Sequence, residues 1–197
     1  MIDSQRCALA DCSNRSIGNS ANCLAHSDDP DRGRREIVET MSQGKEIENL
    51  SSDYLHLEDL ELTERLFCCA TFSYAHFSRV DFSGSVFRLC YFDNALFREC
   101  KFETTDIKYS VFAGSNFVDC SFQGSDILHS NFNGIDATNT KFSDSDLYFS
   151  TFISALLAHV DFVDCNLKKV RFGHSVRDSV NFKLSNHEEA DFAEHTF

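Results

Sequence analysis

Between residues 87 and 102 the chain reads FRLCYFDNALFRECKF, with phenylalanine at 87, 92, 97 and 102. A helix brings like residues to one face every 3.6 positions and a strand every second one, so a strict interval of five belongs to neither. The interval persists. Every fifth residue from Leu57 to Phe197 is Leu or Phe except at Ile107, Ile127, Ala137, Arg177 and His187, and nineteen of the 20 Phe share this register. Phe149 alone lies outside it. So strict a period marks a repeating architecture and outranks local propensity.

Two residues before each large position stands a small or modest one, as in Ala75, Val80, Ser85, Cys90, Ala95 and Cys100. A spacing of two places both side chains on the same side of an extended segment, so each five-residue unit is a very short strand with one large and one small inward residue, then a turn. At Ile135 and Ala137 the sizes are exchanged, which keeps the inward volume nearly constant. Gly84, Gly114, Gly124, Gly134 and Gly173 are read as outward turn glycines and not as a phosphate loop.

The triplets ADF, VDF, SDI, SDL, SNF and CNL resemble the pentapeptide-repeat family, whose loose consensus is a small residue, Asp or Asn, then Leu or Phe, then two variable positions. The resemblance spans residues 55 to 197 and is specific for fold, much less so for function. It implies an all-β solenoid, a right-handed quadrilateral parallel β-helix with four units and 20 residues per coil. About 29 units then make about seven coils, a rod roughly 34 Å long at about 4.8 Å per coil.

The expected organisation is a Cys/His head over residues 1–28, a capping helix and linker over 29–50, and the repeat rod over 51–197. Asp29 reads as the N-cap, Pro30 as the first helical residue and Gly44 as the stop, with Ile37 and Met41 on one face. A solenoid needs covers at its ends, and this helix is the candidate at the first coil. At the other end Phe197 is still in register, so that end is expected either to fray or to be covered by another chain. Arg177 and His187 stand where Leu or Phe is expected, which predicts that the last two coils deform and release Arg177 to solvent.

Nine cysteines in a chain with no apolar leader at its start read as reduced thiols or metal ligands, which suggests a cytoplasmic protein; the family resemblance implies one of bacterial type. Cys7, Cys12, Cys23 and His26 form a Cys-x4-Cys-x10-Cys-x2-His set. Three thiolates and an imidazole suit structural zinc, and the head has too few large apolar residues to order itself by burial. Two other readings stand beside zinc: an unordered head with free thiols, or a disulfide. Cys90, Cys100, Cys120 and Cys165 occupy small inward positions. Cys68 and Cys69 are the more reactive pair.

The net charge of −13, of which −10 falls after residue 50, argues against direct nucleic-acid or membrane partners. The histidines scatter over different sides of the expected coil, with no converging nucleophile, base and acid, so no enzyme is expected. Function should then lie on the outer walls. Leu89, Tyr109, Leu128, His129, Tyr148 and Phe149 map to two adjacent outward columns, an aromatic strip of the kind that contacts proteins; the plainer reading is that they cover turn corners. Another wall carries Glu61, Glu64, Asp81, Glu103, Asp144, Asp161 and Asp164. Some members of the family mimic DNA and protect gyrase from quinolones, so the resemblance offers an alternative: an acidic mimic that binds a type II topoisomerase. Lys101, Lys141 and Lys183 interrupt that stripe, whereas duplex DNA carries a negative charge every ~1.7 Å. The reading preferred from sequence is a non-enzymatic scaffold for a protein partner, with a homodimer as one form of it.

Overall fold

A computed structural model describes residues 6–17 and 20–193 of the 197. From Glu46 onward the backbone climbs by one strand spacing every 20 residues, each segment pairing in parallel with those 20 before and after it. One wall is the sheet of β1 (Glu46–Glu48), β3 (Leu66–Cys68), β5 (Val86–Arg88), β7 (Asp106–Lys108) and β9 (Asp126–Leu128). A second is the sheet of β2 (His56–Glu58), β4 (His76–Ser78), β6 (Leu96–Arg98), β8 (Asn116–Val118), β10 (Asp136–Thr138), β11 (Leu156–Ala158) and β12 (Val176–Asp178). The remaining two walls are held by single bridges, the series through Ser51, Thr71 and Tyr91 and the series through Glu61, Asp81 and Lys101. The architecture is a four-sided parallel β-solenoid of about seven coils.

The period of five has a backbone cause. Every fifth residue from Asn49 to Leu184 turns a corner with φ between 51° and 70°. Glycine fills only four of these corners, Gly84, Gly114, Gly124 and Gly134, although the left-handed region disfavours other residues by about 1–2 kcal/mol. Packing sustains the rest. Gly173 departs from the expectation made for it: it precedes the corner, which His174 takes at φ 56°, and its missing Cβ leaves room for the Ala193 carbonyl, 2.8 Å from where that atom would stand.

Inside, the large residues stack by column. Phe92, Phe112 and Phe132 lie one above another with ring centroids 4.7 Å apart and planes within 8° of parallel. Rings from adjoining walls meet edge to face, as Phe117 and Phe122 do at 5.4 Å and 72°, and so do rings from opposite walls, as Phe162 and Phe172 do at 5.5 Å and 82°. Both geometries suit the aromatic quadrupole. The small inward serines are more than spacers. Ser125 Oγ donates to the Phe102 carbonyl at 2.7 Å and accepts the Thr105 amide at 3.0 Å, so one hydroxyl satisfies two buried backbone groups. Cys90, Cys120 and Cys165 point their thiols at the equivalent carbonyls of Phe67, Phe97 and Phe142. All nine cysteines are free.

The ladder begins ten residues earlier than the periodicity suggested. Ile47 in β1 sits beneath Phe67, and buried Ser52 takes a large-residue position, so the solenoid reaches back into the segment read as linker. Helix α1 (Pro30–Gln43) covers the first coil through Ile37 and Met41, and Asp29 caps it by accepting the Arg32 amide at 2.9 Å. Gly44 ends the helix in extended backbone at φ −74°; it is needed because a Cβ would stand 2.7 Å from the Thr40 carbonyl. At the far end, Phe192 still stacks on Phe172 at 5.0 Å, whereas Arg177 in β12 is exposed and lies over the Phe192 ring at 4.9 Å. His187 opens a short 3-10 turn, His187–Glu189, outside the ladder. Phe197 lies outside the described residues.

Two measurements probe this packing. Ala137→Phe should overfill its layer and destabilise the rod by about 1–3 kcal/mol. Ala137→Phe combined with Ile135→Ala should recover most of that loss in chemical denaturation, because both positions are fully buried in one layer. Burial pushes the Cys90 thiol up to about 12 and that of Cys165 up to about 11, against backbone hydrogen bonds that pull them down. Folded chains therefore hold these protons above the ordinary thiol value of 9.0 while unfolded chains release them, so stability falls as pH rises from about 9 toward 11–12. Under reducing conditions, Cys90→Ser with Cys165→Ser should flatten that part of the melting-temperature profile relative to wild type.

Candidate metal centre and outer contact faces

The head folds around its own four donors. Arg6 and Arg15 form an antiparallel bridge, the Cys7 amide donates to the Asn14 carbonyl at 2.9 Å, and Asp11 turns the loop between them at φ 68°. A 3-10 turn, Leu24–His26, then swings His26 back over Cys23. As a result Cys7, Cys12, Cys23 and His26 bring their ligand atoms within 4.8 Å of one another, a set that can hold a metal ion. His26 Nδ1 lies 3.5 Å from the Cys7 sulfur and 3.3 Å from the Cys23 sulfur, and Cys12 and Cys23 are 3.9 Å apart. Amides of Cys23 and Leu9, helped by the His26 and Cys23 side chains, hold the Cys7 thiol down to about 6 despite burial. A thiolate at neutral pH is what a metal requires. Asn14 Nδ2 donates to the Cys23 sulfur at 3.9 Å and fixes it from outside.

On the wall of β3, β5, β7 and β9 the corner residues form a ladder of rings. Tyr109 stacks on His129 at 5.2 Å, and His129 stacks on Phe149 at 5.1 Å. Tyr148 meets the edges of His129 and Phe149 at 5.8 and 5.6 Å. Leu89, Tyr109 and Phe149 are 48%, 56% and 46% exposed, in line with the exposed corners of the other coils. Leu128 is half-buried beside them. Asp106, Asp126 and Asp146 run along one edge in register.

The acidic residues do not converge in the same way. Glu61 pairs in register with Asp81, but Lys101 follows, then Ser121, Lys141 and Asp161. Glu61, Glu64 and Asp81 thus lie toward the first coils and Asp144, Asp161 and Asp164 toward the last, with Glu103 between and lysines separating the groups. Asp144 accepts from Gln123 at 2.8 Å and Asp161 from Asn181 at 3.3 Å, so part of the stripe is engaged in the wall itself.

Residues 115–192 match the family model of the pentapeptide repeat region, and residues 69–103 match that of pentapeptide repeats in eight copies. The chain belongs to the pentapeptide-repeat family. Among solved structures, this pentapeptide-repeat protein is similar to HetL, a pentapeptide repeat protein involved in heterocyst differentiation regulation from the cyanobacterium Nostoc sp. strain PCC 7120. The identity is 12% over 79% of this chain and 95% of that one, with a TM-score of 0.33. It is also similar to QnrB1, a plasmid-mediated fluoroquinolone resistance protein, at 16% identity over 76% of this chain and 82% of that one, with a TM-score of 0.43. No curated protein matches it in sequence.

Several outward groups of this pentapeptide-repeat protein escaped the sequence reading. Lys169 closes the aromatic strip, its ammonium 5.2 Å from the Phe149 ring centre. Counting the corner column one coil past Phe149 would have found it, but a strip defined by apolar residues stops short of a lysine. Tyr54 and Tyr74 stack at 5.1 Å near the head. Beside Tyr54 a cleft of about 520 Å³ opens between head and first coil, lined by Asn14, Arg15, Leu24 and Pro30. Nothing periodic marks that cleft, because the head has no repeat to count.

Proposed function

We propose that this chain is a non-enzymatic, cytoplasmic interaction module that binds a protein partner through the strip of Leu89, Tyr109, Leu128, His129, Tyr148, Phe149 and Lys169. The observation that carries this reading is the exposed, continuous ring ladder of Tyr109, His129 and Phe149. Stacked rings held by the backbone lose little freedom on binding, which favours their use as anchors. Asp106 is paired within the wall to Arg88 and Lys108, but the flanking Asp126 and Asp146 and the net charge of −13 favour a partner whose contact patch is apolar with a basic rim. Mimicry of DNA before a type II topoisomerase is the lesser reading, since Lys101 and Lys141 interrupt the acidic register. Tyr109→Ala combined with Phe149→Asp should abolish capture of the partner identified with wild type and leave the melting temperature within about a degree, since both side chains are exposed. Undiminished capture by that variant would defeat the proposal.

For the head we propose structural zinc. Bonds of about 2.3 Å to sulfur and 2.0–2.1 Å to nitrogen in a tetrahedron require edges of about 3.6–3.8 Å; three of the six donor pairs lie at 3.3–3.9 Å and the whole set within 4.8 Å, so a small inward movement completes the shell. Four protein donors close the shell, leaving the ion to staple the head and not to activate water. Protein purified without chelator should carry about one equivalent of zinc. Cys12→Ser should lose it and render residues 6–26 sensitive to protease, with the melting of the rod unchanged. A protease-resistant head that contains no metal would overturn the assignment.

A further inference from the structure

Three cysteines serve the head and four face the interior, leaving Cys68 and Cys69. Their placement follows from the fold. Cys68 ends β3 with its side chain outward, and Cys69 takes the following corner at φ 54°, which also throws its side chain outward. Both sulfurs therefore project from one wall, 3.8 Å apart, unbridged and half-buried. In register with Cys68 stand Glu48 on one side and Arg88 on the other. Cys90, one coil on, points inward to the Phe67 carbonyl and contributes nothing to this wall.

The separation has chemical meaning. Two thiolates bound to one tetrahedral ion at about 2.3 Å must lie about 3.8 Å apart. Cys12 and Cys23 in the head, at 3.9 Å, have nearly the same bite. Here no rearrangement of backbone is needed, because the corner conformation that every coil repeats already sets both sulfurs at chelating distance. Burial raises the Cys68 thiol, as do the neighbouring Cys69 and Glu48, so Cys68 keeps its proton at neutral pH until a metal displaces it.

We propose that Cys68 and Cys69 form a second, bidentate site for a thiophilic divalent ion of the zinc and cadmium class. Binding forms two metal–sulfur bonds, breaks two S–H bonds and releases both protons to solvent, with no change of oxidation state. Two protein donors leave the remaining coordination positions open to solvent or to small anionic ligands. The head, with four donors, has none to spare. The dithiol is therefore an exchanging site where the head is a structural one.

Cadmium titration of the full reduced chain tests this, read by the near-ultraviolet thiolate-to-cadmium band. Wild type should saturate at two equivalents, and Cys68→Ser with Cys69→Ser at one, with unchanged circular dichroism and melting because neither side chain is in the core. Cys12→Ser with Cys23→Ser should retain the equivalent bound by Cys68 and Cys69. A Cys68→Ser, Cys69→Ser titration superimposable on wild type would refute the site, as would a head variant with no cadmium–thiolate band. Failure of the head assignment alone looks different: wild type would bind one equivalent, and only the Cys68→Ser, Cys69→Ser pair would abolish it.

Discussion

The rise of a parallel β-ladder and the stacking distance of a benzyl ring nearly coincide, and this chain depends on that match. Neighbouring strands lie about 4.7–4.9 Å apart, and offset aromatic rings are content from about 4.5 Å upward. Phe102 and Phe122 meet at 4.6 Å and Phe162 and Phe182 at 5.4 Å, so two columns of identical rings, Phe72 to Phe192 and Phe82 to Phe182, run along most of the rod with little adjustment. A residue that stacked at a different distance would fall out of step within a few coils. The interior must also be dry and satisfied. Serine and cysteine at the small inward positions meet that demand by returning a hydrogen bond to a carbonyl in the coil below.

The corner conformation is the second constraint, and it explains why the outer walls carry the interesting chemistry. Each left-handed residue directs its side chain away from the core and above its counterpart one coil away. Tyr54 over Tyr74, Tyr109 over His129 and His129 over Phe149 all arise from corners. The same conformation sets Cys69 beside Cys68. A thiol thus acquires opposite characters by address: Cys90 inside is an inert small side chain with its acidity suppressed, whereas Cys7 in the head is held near the thiolate state.

Much of this was legible in sequence because one count governs both the core and the columns. The stack of Phe92, Phe112 and Phe132 and the strip from Leu89 to Phe149 follow from division by five and by 20. Where the count weakens, so does the reading. Ile47 and Ser52 belong to the solenoid but lack the aromatic signature, so the first coil was invisible. Gly173 looked like a turn glycine although it makes room for a carbonyl. Arg177 was correctly expected to reach solvent, since burial of an unpaired charge is prohibitive. Its seat on the Phe192 ring was not foreseeable, because it depends on how the last coil closes.

Because each coil pairs only with the ones before and after it, 20 consecutive residues can be deleted or duplicated and leave every surviving neighbour matched to an equivalent one. Such an edit would move the head relative to the aromatic strip by a single rung and keep both on their original walls. An edit of five residues would instead turn everything downstream by a quarter revolution. The distance between the two features is in this sense a dial with fixed stops, and gene duplication within the repeat can reset it without relearning how to fold.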